Sequence, residues 1–257
     1  MLLAIDIGNT NIVLGIFEGR SLKGHWRLAS DPTKTSDDYA LLLPALLDAA
    51  GFATTQVDGV IISSVVPTLT GALETVSESR FHCPAVVVSC ESPTGLTLRY
   101  RNPWEIGADR LVNAAAAYDR YRTALIIVDF GTATTFCTVT GSGEYLGGAI
   151  APGIGISADA LSSRTAKLPK VDVSRPKTVI GLDTVSSIQS GLVFGYAGMV
   201  DAMVLRIQGE LGEQAKTIAT GGWASLIAPE SSTIQEVRPF LTLEGLELIH
   251  RRILGNE

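Results

Sequence analysis

The chain has 257 residues, 46% of them apolar and 18% charged, with a net charge of −6 and no basic run. That balance excludes a disordered chain and argues against direct nucleic-acid contact, which needs a basic face. At roughly 150 residues per domain the length predicts one or two domains, with about three quarters of the unfolded surface available for burial.

Residues 2–17 set two apolar runs, 2–5 and 12–17, around the polar elbow Asp6-Ile7-Gly8-Asn9-Thr10-Asn11. Apolar runs bounded by turn residues predict a hairpin of two buried strands. Gly8 lets the backbone approach a ligand closely. Successive N–H groups of such a turn, beside Asn9, Thr10 and Asn11, form an anion-binding concavity. Asp6 ends a buried strand, where a carboxylate needs hydrogen bonds or a cation; magnesium on a nucleotide phosphate is the natural one. Asp6 and Asn9 also interrupt any apolar leader, so no signal peptide is expected.

Residues 20–34 are polar, with strand-like character at 25–28. Residues 36–50 read as a helix capped by Ser36 or Asp37, ended by Gly51, and striped by Tyr39, Leu42, Leu43, Leu46 and Leu47. A buried strand at 57–66 closes at Pro67, a second helix spans 69–79, and a short parallel-type strand spans 85–89. His82, Cys83 and Cys90 lack zinc-site spacing, and an odd total of three cysteines predicts core thiols in a cytoplasmic protein. Residues 95–110 crowd charged and aromatic side chains into a segment broken by Pro103 and Gly107. Residues 111–121 are helical, which sets Asp109 at or just before a helix N-terminus, where aspartate is a favoured cap.

Residues 125–136 repeat the opening design: apolar run, Asp129, Phe130, Gly131, a small polar cluster, apolar run. Asp6 matches Asp129, Gly8 matches Gly131, Asn9 matches Thr132 and Asn11 matches Thr134. One such elbow is an ordinary turn. Two predict a duplicated pair of domains, 1–118 and 119–257. Residues 138–145 read as a turn and 147–153 as a glycine-rich loop. A loose dinucleotide fingerprint at 153–158 is discounted, because Pro152 precedes it where a strand should lead in.

Residues 161–176 read as an exposed polar flap. Asp183 and Thr184 start a long helix striped by Ile188, Leu192, Tyr196, Met199, Met203 and Ile207. Gln189, Ser190 and Asp201 argue for a core helix rather than a membrane span. Gly191, Gly195 and Gly198 lie on or next to the stripe and leave a helix–helix dimer seam open. Residues 217–222 run from a strand into Gly221-Gly222, and 243–254 form a closing amphipathic helix.

The two elbows resemble the paired phosphate-binding hairpins of the acetate and sugar kinase, heat-shock chaperone and actin superfamily. Within it, the chain is similar to the type III pantothenate kinase family. The signature Tyr-x-Asn-Pro-x-x-x-Gly-x-Asp-Arg is matched at Tyr100, Asn102, Pro103, Gly107, Asp109 and Arg110. The motif Gly-Gly-x-Ile-x-Pro-Gly is matched from Gly147 to Gly153.

The resemblance implies an α/β fold of two duplicated ribonuclease H-like (actin-like ATPase) domains facing across a nucleotide cleft. It implies ATP-dependent phosphorylation of pantothenate to 4'-phosphopantothenate, the first step of coenzyme A synthesis. ATP would contact Asp6, Ile7, Gly8, Asn9, Thr10, Asn11, Ile12, Val13 and Thr132. Asp6 would orient magnesium through water, and Asp129 would bind a monovalent cation, potassium or ammonium. Pantothenate would be held by Tyr100, Gly107, Ala108, Asp109, Arg110 and Thr184, the threonine reaching across a homodimer. Asp109 would be the general base, kept ionised by its helix N-terminus; Arg110 would steady a carboxylate or a phosphate. Related sequences usually read Asn-Thr where this one has Asp183-Thr184. No nucleic acid or membrane partner is expected. Two other readings stay open: a kinase of the same fold for another alcohol, and a nucleotide-dependent regulatory protein in which Asp109 would be dispensable.

Overall fold

A computed structural model describes residues 1–255 and resolves two compact units, each with its own sheet. The first comprises Met1–Gly95, Arg101–Ala116 and the segment from Leu241 onward; the second comprises Leu96–Tyr100 and Ala117–Phe240.

In the first unit, β1 (Leu2–Ile7), β2 (Asn11–Glu18) and β3 (Ser21–Ala29) form an antiparallel meander. After α1 (Ser36–Ala49), β4 (Gly59–Ser64) pairs parallel to β1; after α2 (Pro67–Val76), β5 (Ala85–Val87) pairs parallel to β4. The sheet order is β3-β2-β1-β4-β5. Leu3, Ile5, Ile7, Ile12, Leu14 and Ile16 share a core with Tyr39, Leu43 and Leu47 of α1 and Leu69 and Leu73 of α2. Thr35, not Ser36 or Asp37, caps α1: its hydroxyl accepts from the Asp38 amide while the Asp38 carboxylate accepts from the Thr35 amide. Pro67 opens α2 at the position where its missing N–H costs nothing.

The chain then runs through β6 (Thr97–Leu98) and α3 (Ala108–Tyr121) into β7 (Leu125–Phe130), β8 (Ala133–Val139) and β9 (Glu144–Pro152). These last three again form an antiparallel meander. Residues 147–152, expected as loop, are strand. Gly148 makes this pairing work, since a Cβ there would collide with the Phe136 carbonyl on β8. Likewise β8 continues to Val139, so the turn is confined to residues 140–143.

After α4 (Ile154–Ser163) and α5 (Thr184–Leu211), β10 (Lys216–Thr220) pairs parallel to β7. Past the short α6 (Ala224–Ile227), β11 (Glu236–Val237) pairs parallel to β10. The order β9-β8-β7-β10-β11 repeats β3-β2-β1-β4-β5 in both sequence and strand direction, with β6 added beside β9. The duplication read from the two elbows is therefore a duplication of topology.

Asp183 caps α5 in a box with Ser186. The buried face of α5 is Ile188, Leu192, Val193, Ala197, Val200 and Val204. It drifts from the expected stripe, leaving Tyr196, Met199, Met203 and Ile207 only partly buried at its margin. Gly191, Gly195 and Gly198 lie off the core side, open to solvent. By length and composition alone α5 could cross a membrane. Its buried face instead packs in the second unit's core with Phe130, Phe136 and Ile154.

The last helix, α7 (Leu241–Ile253), packs on β1, β4 and β2 of the first unit, whereas a cut after residue 118 assigns it to the second half. Leu243 lies against Gly15, His250 lies against Gly59, and Gly245 meets the Val112 carbonyl of α3. With helices on both faces, β1 and β4 carry continuous apolar stretches, Leu2–Ile5 and Val60–Ile62, before their polar ends.

Candidate active site

The first elbow turns on a hydrogen bond from the Gly8 amide to the Asn11 carbonyl, 3.0 Å. It is braced by Ser30, whose hydroxyl donates to the Gly8 carbonyl at 2.6 Å and whose amide donates to the Thr10 carbonyl at 3.0 Å. No sequence signal singled out Ser30. Asn9 and Thr10 are exposed at the tip, and Asp6 is half-buried one residue before the end of β1. Asp6 sits opposite Val13 on β2 and beside Ser63 on β4, whose buried hydroxyl has no partner among the described residues. Ile12 is wholly buried, so it presents only backbone to a ligand.

Residues 101–110 lie in the same unit. Asn102 and Glu105 close a single turn at Pro103–Glu105 through a 2.9 Å side-chain bond. The Gly107 carbonyl accepts from the amides of Arg110 and Leu111, so Gly107 takes the capping role and Asp109 falls inside the first turn of α3. Asp109 leans over Gly107; its Oδ1 occupies the space where any Cβ at 107 would go. That Cβ position is also 3.6 Å from Val65, and the Val65 amide donates to the Ile7 carbonyl at the end of β1. The fold thus brings Gly107 and Asp109 next to the strand that carries Asp6.

The electrostatics of Asp109 differ from expectation. Burial pushes its carboxyl above the usual aspartate range, and the Arg110 amide and guanidinium offset this only in part. The helix N-terminus does not by itself keep the pKa low. Arg110 is itself buried, which places it as Asp109's counter-charge.

In the second unit, the Gly131 amide donates to the Ala133 carbonyl at 3.1 Å, a turn one residue shorter than the first. Asp129 sits opposite Thr135 as Asp6 sits opposite Val13, so the proposed match of Asn11 with Thr134 slips by one position. Thr134 is fully buried and Thr132 half-buried. Two glycines enclose this elbow: a side chain at Gly153 would strike the Thr132 and Gly131 carbonyls, and one at Gly221 would strike the Asp129 carboxylate and Phe130 backbone. Both glycines stood out in the sequence, but their partners did not. Tyr100 lies in this unit, against Gly147 and 6.3 Å from the Tyr145 ring. Thr184 is exposed at the first position of α5.

Among the described residues no group of three or more His, Cys, Asp or Glu side chains could form a metal cage. A single carboxylate at the end of a strand, next to a turn, fits a hard cation that keeps water or phosphate oxygens as its other ligands. Asp6 and Asp129 each meet that description.

Among solved structures, a Campylobacter jejuni protein named for the Baf transcriptional activator family superposes with a TM-score of 0.63 at 18% identity, covering 98% of this chain and 99% of its own. The ROK family glucokinase of Streptomyces griseus superposes at 0.52 and 14% identity, with the same coverage. At such identities the likeness shows the fold: the actin-like ATPase and sugar-kinase class, built from duplicated ribonuclease H-like domains.

The family model described as type III pantothenate kinase matches residues 2–206. The type III pantothenate kinases of Geobacter sp. (strain M21) and Geobacter sulfurreducens are 56% and 53% identical over 252 residues, covering 98% of this chain and 99% of each relative. That of Myxococcus xanthus is 52% identical over 252 residues, at 98% of each chain. The chain belongs to the type III pantothenate kinase family.

Proposed function

We propose that this protein transfers the γ-phosphoryl group of ATP to the primary hydroxyl of pantothenate, with Asp109 as general base. The observation that carries the reading is Asp109 itself, a part-buried carboxylate in the first turn of α3 within the matched acceptor signature. The substrate oxygen bonds to the γ-phosphorus, its proton passes to an Asp109 carboxylate oxygen, and the β–γ bridging bond breaks to release ADP. Burial is what gives Asp109 proton affinity, and the neighbouring Arg110 keeps enough of it ionised to accept.

The backbone of residues 6–13 and Thr132 offer N–H and O–H donors to the phosphates of ATP. Positioned donors of this kind carry most of phosphoryl transfer. Asp6 would hold magnesium through water, and that ion neutralises charge on the phosphates. Asp129 would hold potassium or ammonium. Gly107, Ala108, Asp109, Arg110 and Tyr100 would bind pantothenate, joined by Thr184 of the partner subunit. The solvent-open glycines of α5 support pairing of two copies through that face. The cytoplasm is the compartment proposed for this chemistry.

The test is ATP-dependent phosphorylation of pantothenate by purified protein with magnesium, in potassium and then in sodium. Turnover in potassium that falls in sodium is expected. Turnover indifferent to the cation would remove Asp129 from its role, and ATP binding without turnover on pantothenate would favour the regulatory reading.

A further inference from the structure

We infer that the Arg99–Glu144 ion pair is a positioning device for Tyr100 and, through it, for the acceptor alcohol; this rests on the pantothenate reading above. The strand that delivers Tyr100, β6, is two residues long. Its backbone tie to the sheet is the short ladder with β9, flanked by the Thr97 amide on the Gly143 carbonyl and the Arg99 amide on the Tyr145 carbonyl, both 2.9 Å. A pairing this short is marginal by itself. Arg99 adds a fork, Nε and Nη2 each 2.7 Å from the same Glu144 carboxylate oxygen. The Glu144 backbone is fixed in turn by its amide on the Thr140 hydroxyl, 3.0 Å.

The next residue, Tyr100, lies over Gly147 so closely that a methyl there would sit 2.9 Å from its ring Cε2. Gly147 has φ of +112°, which an L side chain rarely adopts, so the bare surface under the ring is built in. Immediately beyond Tyr100 the chain leaves this unit. The ion pair therefore clamps the last anchored residue before the ring. Because the Arg99 side chain is 60% exposed and that of Glu144 31%, the pair adds little to global stability, and its loss is read in substrate binding instead.

Arg99→Ala and Glu144→Gln are each expected to raise KM for pantothenate about two- to fivefold, the range a partly exposed pair can supply. KM for ATP and the melting temperature stay where they were, and the charge-exchanged double variant R99E/E144R recovers much of the loss. Unchanged KM for pantothenate in both single variants, or KM for ATP rising in step, overturns the inference. Amide exchange at Thr97 and Arg99 reads the clamp without turnover: it quickens in Arg99→Ala, and unaltered protection overturns the clamp whatever the acceptor proves to be. Wild-type turnover on pantothenate in the same assay tests the underlying reading separately.

Discussion

Asp109 works against its own surroundings. Burial favours the protonated carboxyl, whereas the Arg110 guanidinium and amide favour the carboxylate, and burial is the stronger influence. The proposed base would act only when deprotonated, so activity should be lost as pH falls through the folded pKa of Asp109. With that pKa raised, the acid limb of kcat/KM for pantothenate should lie above the range of an ordinary aspartate, near 4. A limb at or below that range would contradict the burial argument. Asp109→Asn should lower kcat by about a hundredfold or more while nucleotide binding, measured by calorimetry, is kept. Equal loss of both would remove Asp109 from the role of base. The residue itself was legible in the sequence from the Tyr100–Arg110 signature. Its charge state was not: the N-cap reading placed it two positions too early, and the burial that raises its pKa has no local sequence signal.

Asp201 shows how an element can be locked by one carboxylate. Burial alone would raise its pKa, but donors from Ser231, Ser232 and Thr233 outweigh burial and hold it at about 2. These bonds tie α5 to the segment that leads into β11. Asp201→Asn should cost about 1–3 kcal/mol at neutral pH, as expected for hydrogen bonds to a charged group. The folded pKa is depressed, so the contribution is complete above the unfolded value near 4 and disappears as pH falls toward 2. Urea unfolding of both forms at neutral pH and at about pH 2 checks this; a gap that persists in acid would refute the linkage. In β9 the same contrast between local and distant signals appears. Gly147, Gly148 and Gly153 read as loop because glycine usually punctuates turns, yet Gly148 lies within the β8–β9 pairing and Gly153 packs on the second elbow. Only contacts between segments distant in sequence separate the two meanings.

At the scale of the whole molecule, two elbows sufficed to predict a duplication because each lies between buried strands that any sheet must pair. The register within the turns and the route of the last helix escaped notice, since both depend on partners far along the chain. The exposed glycine face of α5 carries the prediction of self-association. Gly195→Glu should shift the protein toward monomer in analytical ultracentrifugation with its melting temperature little changed, since among the described residues nothing packs where its side chain would start. A wild-type monomer at micromolar concentration would dismiss the seam.

The return of α7 to the first unit has a consequence for how the chain is made. Leu243, Leu246 and Ile249 are buried on a helix that packs against strands made long before it. During synthesis β1 and β2 stay open on one face until α7, more than two hundred residues further on, has left the ribosome. The second unit, by contrast, has all its strands before residue 241. Burial in the first unit therefore runs against the order of translation: β1 and β2 are made before the strands of the second unit and are covered after them.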